Sequence, residues 1–290
     1  MAAPIMLHTA YELHGSDGLP LFAQSWQPTD GASRGVIDLV HGMGEHSGRY
    51  AMLAEYLGRH GFATYAYDLR GHGRSGGPRV YVDKFDEYLS DTDVFLTDLR
   101  RRCGPTPVFL VGHSMGGTIA VLYAITRQPA VCGLALSSPA IQLGADIPKA
   151  LIVVGRWLAR AFPRLPVRKI DPRLISRDPA VIAQAASDPL NHYGGTPART
   201  GAELLNAMSR VLAACRTLRT PLYIFHGTED RLTSPCGSQA LYAGSASLDK
   251  TLRLYPGSYH ETMNDLDQEQ VLQELADWLV AHSPRTASAT

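Results

Sequence analysis

The chain has 290 residues, of which 45% are hydrophobic, and its 27 lysines and arginines balance its 27 aspartates and glutamates. This length suits one large α/β domain or two small ones, and the apolar fraction is enough for a full core. The balanced charge gives no indication of a nucleic-acid or polyanionic partner. The four cysteines are scattered without Cys-x-x-Cys spacing, so neither a zinc site nor a disulfide framework is predicted.

Neither a targeting segment nor a membrane span is predicted. Residues 1–15 lack the basic segment and long apolar core of a signal peptide. No apolar run approaches the roughly 20 residues that a membrane-spanning helix needs. Unpaired cysteines suit a reducing compartment. We therefore expect a cytoplasmic protein that is soluble or bound to a membrane only at its surface.

Strand-like and helix-like segments alternate along the first half of the chain. Thr9–Leu13 and Leu19–Trp26 are strand-like runs on either side of a turn-rich link, which predicts a hairpin. The segments that follow are a strand at Val36–Val40, a helix at Arg49–His60, a strand at Phe62–Tyr67, a helix at Lys84–Arg102, a strand at Val108–Val111, a helix behind Ser114 and a strand at Val131–Leu136. Helices between consecutive strands indicate βαβ crossovers and a mainly parallel sheet.

The alternation stops at residues 140–216, where prolines separate helical pieces and no clear strand is found. Such an interruption is too long for a loop, so we predict an inserted helical cap. Strands resume at Leu222–Phe225 and Thr251–Tyr255, and Gln268–His282 is an amphipathic helix. The predicted organisation is an α/β core of residues 1–139 and 217–290, with the cap inserted between its two parts.

A catalytic nucleophile is predicted at Ser114. The pentapeptide Gly112-His113-Ser114-Met115-Gly116 lies between a buried β-branched strand and a small-residue helix. Its glycines permit a sharp strand-to-helix turn, and the turn leaves the amide of Met115 at a helix start, where an anion is favoured. The G-x-S-x-G pattern also occurs at Gly31–Gly35 and Gly73–Gly77, but neither copy lies between a strand and a helix. We interpret His113 as packing within the turn.

An acid and a histidine follow the two returning strands. Asp230 comes shortly after the first of these strands, and His260 shortly after the second. A serine nucleophile needs a base that a third group orients, and the carboxyl ends of parallel strands are where such sheets bind ligands. The order Ser114, Asp230, His260 is that of α/β-hydrolases. Glu229 is the alternative acid.

A second glycine-rich turn, His41-Gly42-Met43-Gly44, follows the strand at Val36–Val40. Acyl transfer develops a negative oxygen, which needs preorganised donors. We expect the backbone amides of Met43 and Met115 to form this oxyanion hole. The alternative interpretation is an ordinary glycine turn.

A set of longer motifs is more specific than the G-x-S-x-G pattern. They are HGMGEHSGRY at His41–Tyr50, DLRGHGRS at Asp68–Ser75, GHSMGG at Gly112–Gly117, SDPL at Ser187–Leu190, LNAMSR at Leu205–Arg210, GTEDRL at Gly227–Leu232 and YPGSYHE at Tyr255–Glu261. With these motifs the chain closely resembles monoacylglycerol lipases, which belong to a wider group of serine hydrolases with lysophospholipase-like and peptidase-like members. The likeness extends from about Thr9 to Leu279.

The resemblance implies the same catalytic triad and the same oxyanion amides. It also implies a pocket for the glycerol head group at Glu45 and Arg49, with His46 nearby; the alternative for the first two is a surface salt bridge. Human-like members carry a further histidine three residues after the catalytic one. This chain has Met263 there, so looser head-group selectivity is expected.

In the family that it resembles, the cap also faces the membrane. Here Ile147–Ile170 contains several lysines and arginines among apolar residues and no acidic residue. This pattern suits a helix lying on an anionic membrane or lipid-droplet interface. The alternative is a cap helix that covers the active site while its arginines stay solvated.

Together these features predict a serine hydrolase, without metal or organic cofactor, that cleaves monoacylglycerols to fatty acid and glycerol through an acyl-enzyme. The alternatives are a broad-specificity carboxylesterase or lysophospholipase of the same fold, and a non-catalytic lipid-binding protein. Epoxide hydrolases and dehalogenases are disfavoured because they place an aspartate at the nucleophile position. A peptidase is disfavoured because no acidic subsite for a free amine is evident.

Overall fold

A mixed sheet organises the chain in the computed structural model, which describes residues 5–30, 34–144 and 157–284. The strands are β1 (Met6–His14), β2 (Pro20–Pro28), β3 (Gly35–Val40), β4 (Phe62–Tyr67), β5 (Val108–His113), β6 (Gly133–Ser137), β7 (Pro166–Arg168), β8 (Thr196–Pro197), β9 (Leu222–Gly227) and β10 (Lys250–Tyr255). Eight of them form one sheet in the order β1-β2-β4-β3-β5-β6-β9-β10. The pairs β1–β2 and β2–β4 are antiparallel, and all later neighbours are parallel. The predicted hairpin and mainly parallel sheet are confirmed.

Helices cover both faces of this sheet. They are α1 (Ala51–Arg59), α2 (Asp86–Cys103), α3 (Met115–Arg127), α4 (Pro179–Ser187), α5 (Ala198–Ala214), α6 (Pro235–Gly244) and α7 (Gln268–His282). One apolar core lies between the sheet and α1 with α7, and the other between the sheet and α2, α3, α5 and α6. Within the described ranges, no helix combines the length and apolar character needed to cross a membrane.

The central strands are buried along their whole length and mostly apolar because both of their faces are covered. Every residue of β3, β4, β5, β6 and β9 is buried. Continuous apolar runs of this kind are typical of parallel strands between two helix layers. The carboxyl ends of β3, β5, β9 and β10 therefore meet at one edge, where the loops that follow them come together.

The segment between β6 and β9 leaves the sheet and contains α4 and α5. The prediction that this segment lacks strands was wrong, because β7 and β8 form a short antiparallel pair. Strands of three and two residues are too short to produce a recognisable alternation. Much of the cationic stretch Ile147–Ile170, and the glycine-rich pattern at residues 31–33, lie outside the described residues. The division at residues 139 and 217 stays a prediction.

Helix α5 is attached firmly to the core. It packs against α3, and near its start the hydroxyl of Thr200 accepts a hydrogen bond from the amide of Val82 at 3.2 Å. One turn later the carboxylate of Glu203 accepts one from the amide of Phe85 at 3.1 Å. These bonds hold α5 over the carboxyl edge of the sheet.

Asp38 is a carboxyl group buried in the middle of β3. It is fully inaccessible, and neither of its oxygens has a hydrogen-bond partner among the described residues. Burial raises the pKa of this carboxyl to about 8, and the distant charge of Arg100 offsets this only in part. The group is therefore neutral in the folded protein at neutral pH, whereas in the unfolded chain it is ionised above about pH 4.

We expect Asp38 to lower the free energy of unfolding as the pH rises from about 4 to about 8. In this window the unfolded chain releases the proton and the folded chain retains it, which removes up to about 1.4 kcal/mol per pH unit. Asp38→Asn should abolish this contribution, so its stability relative to wild type should increase between pH 5 and pH 7.5. Urea unfolding at both pH values tests this, and a constant difference would contradict it.

Candidate active site

Ser114 occupies the sharp turn between β5 and α3. Its backbone has φ 53° and ψ −119°, a strained conformation for a residue with a side chain. The amide of Ser114 donates to the carbonyl of Ser137 and its carbonyl accepts from the amide of Ala140, both at 3.0 Å. A Cβ on Gly112 would lie 2.5 Å from the carbonyl oxygen of Gly116, so the turn requires a glycine there. This geometry raises the serine side chain above the edge of the sheet.

Asp230 and His260 meet at the same edge, after β9 and β10. Both side chains are buried, and His260 Nδ1 lies 2.6 Å from Asp230 Oδ2. An ionised carboxylate can only accept hydrogen bonds, so Nδ1 carries the proton and Nε2 keeps its lone pair. The alternative acid, Glu229, is exposed, and only its backbone takes part in this loop.

Asp230 is surrounded by donors. Its Oδ1 accepts the amides of Leu232 at 2.8 Å and Thr233 at 3.0 Å. Its Oδ2 accepts the hydroxyl of Thr233 at 2.8 Å and Nε2 of His226 at 3.0 Å. Burial alone would raise the pKa of Asp230, but His260 and His226 hold it well below its usual range. The carboxylate therefore stays ionised in a buried place.

The contact between His226 and Asp230 was not predicted from the sequence. It is fully buried at the end of β9, and its Nδ1 lies 2.8 Å from the hydroxyl of Ser238 on α6. Its ring is therefore fixed from both sides, with Nε2–H directed at Asp230. The only signal in the sequence is its position at the end of a buried strand, four residues before Asp230.

His260 has an electrostatic environment suited to a base. Burial lowers the pKa of its ring, but Asp230 more than offsets this and raises it above the usual value. The ring of His113 lies 4.8 Å away at a tilt of 52°. Burial and the nearby His260 lower the pKa of His113 to about 4, so it packs here as a neutral ring.

The loop after β3 approaches the nucleophile closely. A Cβ on Gly42 would lie 2.8 Å from Glu45 Oε1 and 3.2 Å from Ser114 Cβ. The amide of Gly42 is engaged, because it donates to Glu45 Oε1 at 2.5 Å. The next amide in the loop, that of Met43, therefore remains the candidate oxyanion donor, and Met43 and Met115 both line the same cavity as Ser114.

The predicted head-group residues form a buried cluster rather than a surface salt bridge. Arg49 Nη1 donates to Glu45 Oε2 at 2.9 Å and to Glu261 Oε1 at 2.7 Å, and Nη2 donates to Glu261 Oε2 at 2.8 Å. The hydroxyl of Tyr50 donates to Glu45 Oε1 at 2.7 Å. Burial alone would raise the pKa of Glu45, but Arg49 lowers it to about 2. Glu261 was missed by the sequence analysis.

His46 lies outside the polar cluster and contacts Asp188 instead. Its Nε2 lies 2.9 Å from Asp188 Oδ2, just after α4, and it is not among the described residues that line the cavity. The backbone of the same segment touches the loop after β3, since the amide of His192 donates to the carbonyl of Gly44 at 2.7 Å. Thus the Ser187–Leu190 motif and the loop after β3 are in direct contact.

These groups surround one cavity of about 180 Å³. Its lining combines Ser114 and His260 with a polar cluster, formed by Glu45, Arg49 and Glu261, and with many apolar side chains. The apolar lining includes Leu143, Ile175, Leu204, Leu205, Met208 and Leu232. Met263 is buried but does not line the cavity. No three His, Cys, Asp or Glu side chains of the described chain are arranged to hold a metal ion.

Comparison with known proteins identifies the family of this chain. The family model described as serine aminopeptidase, S33 matches residues 31–267. The chain belongs to this family. Members of the S33 family are serine hydrolases, and the mainly parallel sheet with flanking helices is the α/β-hydrolase fold that was predicted.

Several relatives of this S33 family member carry more specific names. The chain is 36% identical to a monoacylglycerol lipase of Mycolicibacterium smegmatis, over 92% of this chain and 95% of that protein. It is 35% identical to the monoglyceride lipase of Rattus norvegicus, over 96% and 92% of the two chains. The crystal structure of a Paleococcus ferrophilus monoacylglycerol lipase matches with a TM-score of 0.79 and 30% identity, over 96% of this chain and all of that one.

We expect His226→Leu to lower kcat for a soluble ester by about tenfold or more, with little change in KM. The leucine removes a donor to a buried carboxylate that orients the base, and about 1.4 kcal/mol of lost transition-state stabilisation corresponds to tenfold in rate. His226→Gln keeps an N–H donor and should retain most of the activity. Steady-state kinetics on p-nitrophenyl butyrate, with thermal unfolding as a folding control, measures both. Equal losses in the two variants would contradict this role.

Proposed function

We propose that this protein hydrolyses the acyl ester of monoacylglycerols to a fatty acid and glycerol through an acyl-enzyme. The observation that carries the proposal is the cavity that contains Ser114, whose lining combines apolar side chains with the buried polar cluster. An ester of a long acyl chain and a small polyol combines the same two kinds of surface. The names of the relatives point to the same substrate class.

In the proposed reaction, His260 Nε2 takes the proton of the Ser114 hydroxyl as Oγ attacks the ester carbonyl. The amides of Met43 and Met115 receive the negative oxygen of the tetrahedral intermediate. The intermediate collapses to the acyl-enzyme, and His260 donates its Nε2 proton to the departing glycerol oxygen. Water then attacks the acyl carbon with His260 as base, which releases the fatty acid and restores Ser114.

The position of the base and its charge are supported by the contacts described above. Asp230 orients the ring through Nδ1 and stabilises the imidazolium that forms in each step. Because Asp230 raises the pKa of His260 above its usual value, the rate should rise with pH through a pKa that is also above that value, since only the neutral ring accepts the serine proton.

The proposal is tested by substrate comparison with purified wild type and Ser114→Ala. We expect monooleoylglycerol to be preferred over dioleoylglycerol, lysophosphatidylcholine and p-nitrophenyl butyrate, and Ser114→Ala to lose at least about a thousandfold in rate on every ester. Ser209→Ala is the matched control, because this exposed serine on α5 bonds only to its own helix.

Two other outcomes would overturn the proposal in different ways. Comparable rates on all esters would indicate a broad-specificity carboxylesterase, and preference for lysophosphatidylcholine would indicate a lysophospholipase. Full activity in Ser114→Ala would exclude the serine mechanism altogether.

We further propose that the cap contacts a lipid surface through its exposed aromatic residues. Trp157 and Phe162 are 64% and 57% exposed, and their rings lie 6.5 Å apart. Leu165 is also exposed, and the guanidinium of Arg164 lies 5.4 Å from the ring centre of Tyr81. Exposed aromatic side chains beside arginines suit an anionic lipid interface.

We expect the double variant Trp157→Ser/Phe162→Ser to hydrolyse emulsified monooleoylglycerol about tenfold or more slowly. Burial of each ring in a lipid interface contributes about 1.5–3 kcal/mol, and the serines remove this contribution. Hydrolysis of soluble p-nitrophenyl butyrate should change little. Leu248→Ser, which replaces a fully exposed residue before β10, is the control. A parallel loss on both substrates would argue against interfacial contact.

A further inference from the structure

The polar cluster of the cavity contains more negative than positive charge. Glu45 and Glu261 share the single guanidinium of Arg49, through contacts of 2.7 to 2.9 Å. Both acidic side chains are buried and the arginine is nearly so. Two carboxylates and one guanidinium leave one net negative charge in a place with little water to screen it.

Glu261 is fixed in this position from several sides. Arg49 donates one hydrogen bond to each oxygen of its carboxylate, and the side-chain amide of Asn264 donates to Oε2 at 3.0 Å. Its backbone amide donates to the carbonyl of Ile175, another residue that lines the cavity, at 2.7 Å. These bonds hold the carboxylate beside Arg49.

The cluster lies close to Ser114, because a Cβ on Gly42 would lie 2.8 Å from Glu45 Oε1 and 3.2 Å from Ser114 Cβ. In the proposed reaction the acyl chain packs against the apolar lining, which assigns the alcohol part to the polar cluster. Hydroxyl groups can donate to carboxylate lone pairs there, and the three bonds described for Arg49 use only three of its five N–H groups. A neutral polyol thus finds both acceptors and donors.

We propose that Glu261 is a specificity-determining residue that excludes esters with anionic head groups and admits neutral polyol esters. Arg49 with Glu45 alone is a neutral pair, so Glu261 supplies the excess negative charge. A phosphate or carboxylate on the alcohol part meets this charge at short range, whereas glycerol does not. The inference rests on the proposed function, because it assigns the head group to the polar cluster.

The test compares two substrates that share an oleoyl chain and a glycerol ester and differ only by a phosphate. Monooleoylglycerol and oleoyl lysophosphatidate are presented separately in the same excess of neutral detergent, and kcat/KM is measured for each. Wild type should prefer monooleoylglycerol by at least about tenfold. In Glu261→Gln, which keeps the shape and removes the charge, this preference should fall by about tenfold or more.

Two controls separate charge in the cavity from other effects. Glu229→Gln removes the same charge from an exposed position near the site and should leave the preference unchanged. Glu261→Asp keeps the charge and should preserve the preference even if both rates fall. Because wild type alone must already reject the lysophosphatidate, the inference stays falsifiable if Glu261→Gln does not fold.

The outcomes distinguish failure of this inference from failure of the proposed function. Equal losses on both substrates in Glu261→Gln, with an unchanged ratio, would show that Glu261 only supports the structure. Wild-type hydrolysis of both substrates at similar rates would also overturn the inference and leave the esterase function intact. A wild type without activity on monooleoylglycerol would overturn the two together.

Discussion

A buried carboxylate needs hydrogen-bond donors, and the candidate active site depends on the donors that surround Asp230. An unpaired charge in this place would be strongly unfavourable. The loop after β9 therefore folds back so that its own amides and the hydroxyl of Thr233 reach the carboxylate. With these donors and His226 in place, Oδ2 also accepts a hydrogen bond from His260. The position of His260, the candidate base, thus depends on the hydrogen bonds that hold Asp230.

Much of this arrangement follows from strand order and could be predicted. Runs of buried apolar residues identify β3, β5 and β9, and functional groups that follow parallel strands must meet at one edge. For that reason the positions of Ser114, Asp230 and His260 after their strands were sufficient to predict a shared site. The amphipathic pattern also predicted α7 with the bounds that the structure has, Gln268–His282. The placement of β4 between β2 and β3 was not predicted, because adjacency in a sheet is not encoded locally.

What the sequence could not reveal are contacts between residues far apart in the chain. Glu261 is separated from Arg49 by most of the chain, and no pattern of spacing connects them. His226 resembles any other buried residue at a strand end until its ring is seen beside Asp230. Similarly, β7 and β8 pair because two short segments between β6 and β9 lie side by side, which no local periodicity indicates.

The contact between His192 and Gly44 limits how the segment between β6 and β9 can change in length among related proteins. Gly44 has φ 75°, and a Cβ there would lie 2.7 Å from the carbonyl oxygen of His192, so the close approach of the two backbones requires a glycine. Caps are inserted segments that are free to vary in length without disturbing a sheet. Here, however, an insertion or deletion before His192 would displace the loop that carries the candidate oxyanion donor. Exchange of caps between relatives would therefore succeed only when the segment around His192 is transferred in register.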